Sequence, residues 1–430
     1  MILPCQDLLQ WRERMRILFV HQSFPGQYRH VIRALASQAN HQLVGLGIEA
    51  LQEPIPEGVR YGRYPLTRGT AQDVHPWAAE TETKVIRAEA CAKAAHQLHQ
   101  EGFIPDLICA HPGWGEALFL RDVWPEAPLL SYQEFYYNAR GFDYDFDPEL
   151  QGPLEWQACA NLRMKNANPL LMLESSSWNV TPTAFQRSSF PAHFHSRISV
   201  IHDGVDTRLA APDATSAPLQ LDDGTELRRG DPLITFVNRR IEPYRGCLTF
   251  IRAIPLIQRA CPEARIIVVG GHEGVSYGKA PPTGTWRDLA LAQIRGQYDA
   301  SRVHFTGNLP YGTFLKLLQR SACHVYLTYP FVLSWSLLEA MSIGLPVVGS
   351  ATPPVQEVIR DGHNGLLVDF FSSQQLAEAV AEMLTKPDHA AALGAAARQT
   401  VLTNYSLERC VPRHLQLMQL VADRVLQASP

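Results

Sequence analysis

The chain has 430 residues, 46% of them hydrophobic, and its 38 Lys and Arg against 42 Asp and Glu leave a formal charge of -4. That length suits two or three domains of about 150 residues each, and the charge balance excludes the global basic field that nucleic-acid binding uses. The eight cysteines (5, 91, 109, 159, 247, 261, 323 and 410) include no CxxC pair, which argues against zinc and against a disulfide framework, and for a reducing cytoplasm.

No apolar run reaches the roughly 18 residues that a membrane span needs. The opening "MILPCQDLLQWRER" carries charges where an export signal has its apolar core. Residues 1–14 read as a loose extension, or a start placed too early, because strand-like sequence begins at Met15. From there "RILFV", "LVGLG", "DLICA", "PLLSY" and "NVTPT" alternate with helical stretches such as Lys84 to His99, the rhythm of a parallel sheet.

In "HQSFPGQYRH", after the first strand, Gly26 permits close backbone approach to a ligand. A tight turn explains it equally, and the missing GxGxxG spacing weakens a dehydrogenase reading. "DLICAHPGWGEALF" puts His111 at a strand end, where it either touches substrate hydroxyls or is satisfied structurally. "FDYDFDPE" offers Asp143, Asp145 and Asp147 as oxygen ligands for a divalent cation. It reads instead as an acidic, aromatic surface loop, and no metal or other cofactor is expected.

After "RISVIHDGVD", the stretch 207–231 is rich in Ala, Pro, Asp and Gly and reads as a linker. A second series then begins with "LITFV", "RIIVVGG", "RVHFTG", "CHVYLTY" and "LPVVGS". The expected fold is α/β, two Rossmann-like doubly wound domains facing a central cleft, with ligand at the carboxyl ends of the strands. The expected boundaries are 1–205, 206–405 and a C-terminal helix over 406–430 that crosses back to the first domain.

In the second half, "FVNRRIEPYRG" places guanidinium groups at a strand end, with Gly246 opening the next helix. Arg240 and Arg245 suit a diphosphate, with Arg239 pointing the other way; the alternative is a solvated basic turn. In "FVLSWSLLEAMSIGLP", Ser334 suits an N-cap and Gly344 with Pro346 ends the helix. Backbone N–H groups near Leu333, Ser334 and Trp335 make an anion site. Glu339, a turn further in, reaches hydroxyls beside the anion, as a ribose diol would present them, or is simply a surface helix residue.

Taken together these motifs resemble the retaining glycosyltransferases of family 4, which have the GT-B fold, over residues 15–425. The strongest part is "LLEAMSIGLPVVGSATPPVQEVIRDGHNGLLV"; "VIHDGVD", "RRIEPYRG", "VHFTGNLPYGTF" and "MRILFVHQSFPGQYRHVIRAL" add to it. The resemblance implies that Arg240 and Arg245 bind the donor diphosphate, that Glu339 binds the ribose, and that Gly307, Asn308, Leu309 and Tyr311 surround the base. It puts His111 near the donor sugar, Gly26 in the loop of the donor-acceptor cleft, and acceptor contacts around Trp114 and 132–147. The family's first Glu, eight residues before Glu339, is replaced here by Phe331, which puts a covalent mechanism through that position in doubt.

The implied reaction moves a hexosyl unit from a nucleotide sugar, with UDP as nucleotide, to a saccharide or lipid-linked acceptor hydroxyl in polysaccharide or glycoconjugate synthesis. It retains anomeric configuration and needs no metal. The implied place is the cytoplasm, with peripheral contact at the inner membrane face. Two other classes fit the same motifs: a silent sugar-nucleotide binder, which holds donor without turnover, and a GT-B nucleotide-sugar epimerase, which alters donor without an acceptor.

Overall fold

The structure, a computed structural model, describes residues 14–38, 40–213, 217–221, 224 and 226–426. The extension expected over 1–14 lies outside the described residues except for Arg14. The chain divides into two compact units, Met1–Gly204 with Leu407–Pro430, and Val205–Ser406.

In the first unit, strands β1 (Arg16–Val20), β2 (Gln42–Gly47), β3 (Val59–Arg63), β4 (Leu107–Ala110), β5 (Leu129–Tyr132), β6 (Trp178–Thr181) and β7 (Ile198–Val200) form one parallel sheet. Their order is β3-β2-β1-β4-β5-β6-β7. The connections carry α1 (Arg29–Ala36), α2 (Ala79–Gln100), α3 (Leu120–Val123), α4 (Trp156–Lys165), α5 (Ala167–Ser175) and α6 (Ala184–Ser189). Strands β1 and β4 are buried on both faces, as parallel strands between helical layers must be, which explains their unbroken apolar runs.

In the second unit, a short hairpin of β8 (Leu219–Gln220) and β9 (Glu226–Leu227) lies within the stretch that reads as linker. Leu221 and Leu227 of this stretch are buried against Leu233 and Ile267, so apolar residues spaced too sparsely to show periodicity still find a core. A parallel sheet follows, built from β10 (Leu233–Arg240), β11 (Arg265–Gly271), β12 (Val303–Gly307), β13 (Cys323–Tyr326), β14 (Val347–Ser350) and β15 (Leu366–Val368). Its order is β12-β11-β10-β13-β14-β15. Helices α7 (Cys247–Ala260), α8 (Trp286–Gln293), α9 (Tyr311–Leu318), α10 (Trp335–Ile343), α11 (Pro353–Gln356), α12 (Ser373–Thr385) and α13 (Pro387–Asn404) complete it.

The last helix, α14 (Leu407–Ala422), belongs to the first unit, where Leu415, Leu417, Met418 and Val421 join Ile17, Phe19 and Tyr132 in one core.

Both sheets are doubly wound, and in both the strand order reverses beside the first strand. The switch points lie between β1 and β4 and between β10 and β13, the positions at which open α/β sheets generally bind ligand. The segments that leave β1, β4, β10 and β13 hold Gly26, His111, Arg240 with Arg245, and Phe331 to Glu339.

Candidate functional site

At the first switch point, His21 follows β1 and His111 follows β4, and their rings lie 5.2 Å apart. Both imidazoles are buried. The N–H of Ser23 donates to Nδ1 of His21 at 3.0 Å, and the N–H of Gly113 donates to Nδ1 of His111 at 3.2 Å. A nitrogen that accepts carries no proton, so each neutral ring holds its hydrogen on Nε2. Burial lowers the pKa of His21 to about 4; burial and the adjacent His21 push His111 well below the usual range. Glu134 Oε2 stands 4.0 Å from His111 Nε2, but a neutral imidazole makes this a polar contact rather than an ion pair.

Aromatic rings pack around the pair. Trp114 and Tyr132 stack on His111 at 4.6 and 5.4 Å, and the Tyr132 hydroxyl donates to Asp203 at 2.8 Å. Gly26 has φ +50, and a Cβ there would lie 2.3 Å from the His21 ring, so both backbone conformation and space demand glycine. His21 and Asp203 were not singled out in the sequence, and Glu134 was included only within 132–147. His21 had a signal, because it follows its strand as His111 does.

The acidic loop is occupied with its own turns. Asp145 accepts from the N–H of Gly141, and Asp147 from those of Glu149 and Leu150. Among the described residues no group of three or more His, Cys, Asp or Glu is arranged to hold a metal ion.

At the second switch point, β10 ends in Arg240, whose guanidinium lies against Gly271 of β11; Arg239 is exposed. Arg245 sits in a 3-10 turn that Gly246 closes in the left-handed region at φ 72, and a Cβ on Gly246 would strike Leu327 at 2.4 Å. Arg245 is buried. Its Nη1 donates to Thr328 Oγ1 at 2.8 Å, to the Val332 carbonyl at 3.0 Å and to the Tyr326 hydroxyl at 3.4 Å. Nε and Nη2 make no hydrogen bond among the described residues. One nitrogen thus fixes the loop after β13 while the rest of the fork remains available to an anion.

That loop leads into α10. Ser334 caps the helix by accepting from the Ser336 N–H at 3.4 Å, its own N–H donates to the Tyr326 hydroxyl at 2.7 Å, and Gly344 ends the helix at φ 79. Leu333 is half-buried and Trp335 exposed. Glu339 accepts from the Tyr311 hydroxyl at 2.7 Å. Gly307 turns at φ +68, Asn308 accepts from the Gly271 N–H at 3.0 Å, and Leu309 packs on the core. Phe331 is only 3% exposed, with its ring 5.6 Å from Tyr244 and 4.8 Å from Tyr277. The position that would carry a carboxylate is filled by aromatic packing. Glu242 and Tyr277 were not singled out in the sequence, although Glu242 stands inside "RRIEPYRG". Burial raises the Glu242 carboxyl pKa, opposed by hydrogen bonds from two backbone amides and by Arg245.

Two units of this topology with ligand-competent switch points define the GT-B class of α/β protein, and solved structures agree. HepE from Anabaena in complex with UDP superposes with a TM-score of 0.66 at 15% identity, covering 94% of this chain and 99% of that one. Sucrose-phosphate synthase from Thermosynechococcus elongatus gives 0.68 at 17% identity, covering 94% and 98%.

The family models "Glycosyl transferase family 4 group" and "Glycosyl transferases group 1" match residues 39–210 and 221–400. The chain belongs to the group 1, family 4 glycosyltransferases. It is 30% identical over 236 residues to the GDP-mannose-dependent alpha-(1-6)-phosphatidylinositol monomannoside mannosyltransferase of Mycobacterium tuberculosis H37Rv, covering 52% of this chain and 56% of that protein. It is 23% identical over 417 residues to the glycogen synthase of Mycobacterium tuberculosis CDC 1551, covering 91% of each. The match therefore spans about half the length of the first of these relatives.

Proposed function

We propose that the protein transfers a hexosyl unit from a nucleotide diphosphate sugar, with UDP as its nucleotide, to an acceptor hydroxyl with retention of configuration and without a metal. The observation that carries this reading is Arg245: a buried guanidinium in the turn after β10, locked by one nitrogen to the loop before α10, with Arg240 at the end of β10. Fixed positive charge there stabilises the leaving diphosphate as its bond to the sugar breaks. The first-turn N–H groups of α10 add donors for phosphate, and Glu339, oriented by Tyr311, accepts from ribose hydroxyls. The Gly307–Tyr311 segment surrounds the base.

Phe331 offers no nucleophile, so the reading favours front-face displacement, in which a departing phosphate oxygen takes the acceptor proton. His111, neutral with its proton on Nε2, donates to a sugar hydroxyl. The acceptor is a saccharide or lipid-linked hydroxyl, reached from the cytoplasm with peripheral membrane contact; among the described residues no helix is long and apolar enough to cross a membrane. Support for a lipid-linked acceptor comes from the name of the mycobacterial relative.

Thermal-shift screening with UDP, GDP, UDP-glucose and GDP-mannose tests the donor, since a ligand that binds the folded state raises stability by mass action. Turnover with saccharide and lipid-linked acceptors, followed by NMR at the anomeric carbon with and without EDTA, tests the rest. An inverted product, or activity lost in EDTA and restored by Mn²⁺, refutes the corresponding part. Binding without turnover supports a silent binder, and donor altered without acceptor supports an epimerase.

A further inference from the structure

Glu242 is a buried carboxylate, 1% exposed, between β10 and the turn that carries Arg245. Its Oε2 accepts from the backbone N–H of Ser276 at 2.6 Å and of Tyr277 at 3.2 Å. Those amides belong to the segment 272–285 that joins β11 to α8, a run of bends without helix or strand. Among the described backbone–backbone hydrogen bonds none reaches 272–284. The segment is held instead by side chains: the Glu242 carboxylate and the Trp286 indole, which donates to the Lys279 carbonyl at 3.1 Å.

What the carboxylate fixes is specific. Tyr277 lies edge-on to Phe331 at 4.8 Å, and the Arg245 guanidinium sits 5.4 Å from the Tyr277 ring centroid. Gly278, at φ +79, fits against Tyr244, where a Cβ would lie 2.8 Å from the ring. Elsewhere in the unit, Asn308 accepts from the Gly271 N–H and Glu339 accepts from the Tyr311 hydroxyl.

We propose that Glu242 is a positioning residue for the donor: by clamping the Ser276 and Tyr277 amides it holds 272–278 against Arg245 and Phe331 as the wall of the donor-sugar subsite. The inference rests on the transferase reading. A nucleotide sugar is a linear molecule of nucleoside, diphosphate and sugar. With the diphosphate at Arg245 and the nucleoside at Tyr311 and Glu339, the Tyr277–Phe331 side is left for the sugar. Loss of the clamp therefore weakens binding of the whole donor and spares that of the bare nucleotide.

The experiment uses the full chain as wild type, Glu242→Ala and Glu242→Gln. Backbone hydrogen exchange is measured over 272–285, and calorimetry compares UDP with UDP-glucose and GDP with GDP-mannose. Glu242→Ala is expected to speed exchange at Ser276 and Tyr277 at least tenfold and to weaken the better-bound nucleotide sugar about tenfold, while its free nucleotide changes less than twofold. Glu242→Gln, whose amide oxygen still accepts from both amides, is expected to restore most of both losses and guards against an Ala variant that fails to fold. Unchanged exchange overturns the clamp. Equal weakening of nucleotide and nucleotide sugar, or a change in melting temperature alone, overturns the positioning role. A wild-type chain that binds none of the four probes overturns the transferase reading itself, which is distinct from a wild type that binds and variants that keep its affinity ratio.

Discussion

Arg245→Ala is expected to damage both the second unit and the reaction, by separable amounts. Nη1 has two hydrogens shared among Thr328 Oγ1, the Val332 carbonyl and the Tyr326 hydroxyl, equivalent to two hydrogen bonds from a charged donor. At about 1.5 to 3 kcal/mol each, less the desolvation relieved when a buried charge is removed, the variant should lose about 2 to 4 kcal/mol. For a unit of this size that lowers the melting temperature by roughly 5 to 15 °C. Removal of the charge that faces the leaving group should cost on the order of 100-fold or more in kcat/KM. Thr328→Val separates the two effects, because it deletes one acceptor of Nη1 and leaves Nε and Nη2 intact. Its melting temperature should fall while kcat/KM stays within about threefold of wild type, and Arg245→Lys should fall between the two in activity because it keeps a point charge without the fork. The assay is a thermal melt plus kinetics at a temperature where all variants are folded. An Arg245→Ala enzyme with wild-type kcat/KM refutes the diphosphate assignment, and one with an unchanged melt refutes the clamp on the loop.

Glu339→Gln should weaken donor binding by about 1 to 2 kcal/mol, since a neutral amide oxygen accepts hydroxyl bonds less strongly than a carboxylate; calorimetry that shows equal affinity removes the ribose assignment. Phe331→Ala opens a cavity beside Tyr244 and Tyr277 and should cost about 3 kcal/mol, with donor-sugar preference altered but turnover retained. Phe331→Glu buries a charge there and should fold less well without gaining rate; a wild type inert to every donor and revived by Phe331→Glu would instead mean that the replaced Glu was essential. Acid should destabilise the first unit: burial lowers His21 and His414 to about 4 and His202 to about 3. Between those values and 6.5 the unfolded chain binds protons that the folded chain does not, so stability rises with pH by about 1.4 kcal/mol per unit for each such His. His414→Gln should flatten the dependence of melting temperature on pH between 4.5 and 6.5 by one proton, and an unchanged slope would contradict the burial effect.

Most of the longer strands, the helix over Trp335–Ile343 and its ends at Ser334 and Gly344 were legible in the sequence, because periodicity and caps act over three or four residues; the short or edge strands β3, β7, β8, β9 and β15 were not. Arg245 lies beyond the strand in a 3-10 turn, but the strand-end positions of His111 and Arg240 were legible too. Strand order was not: β10 pairs with β13 across a long stretch of chain, through packing that no local pattern encodes. Only that pairing shows that Arg245 holds the loop before α10, that Phe331 is closed in by Tyr244 and Tyr277, and that Glu242 points its charge at two amides of a distant segment. Likewise the sequence led to a C-terminal helix that returns to the first domain, but its partners Ile17, Phe19 and Tyr132 stand far away in sequence. Burial is a property of neighbours, and neighbours remote in the chain are set by the tertiary fold.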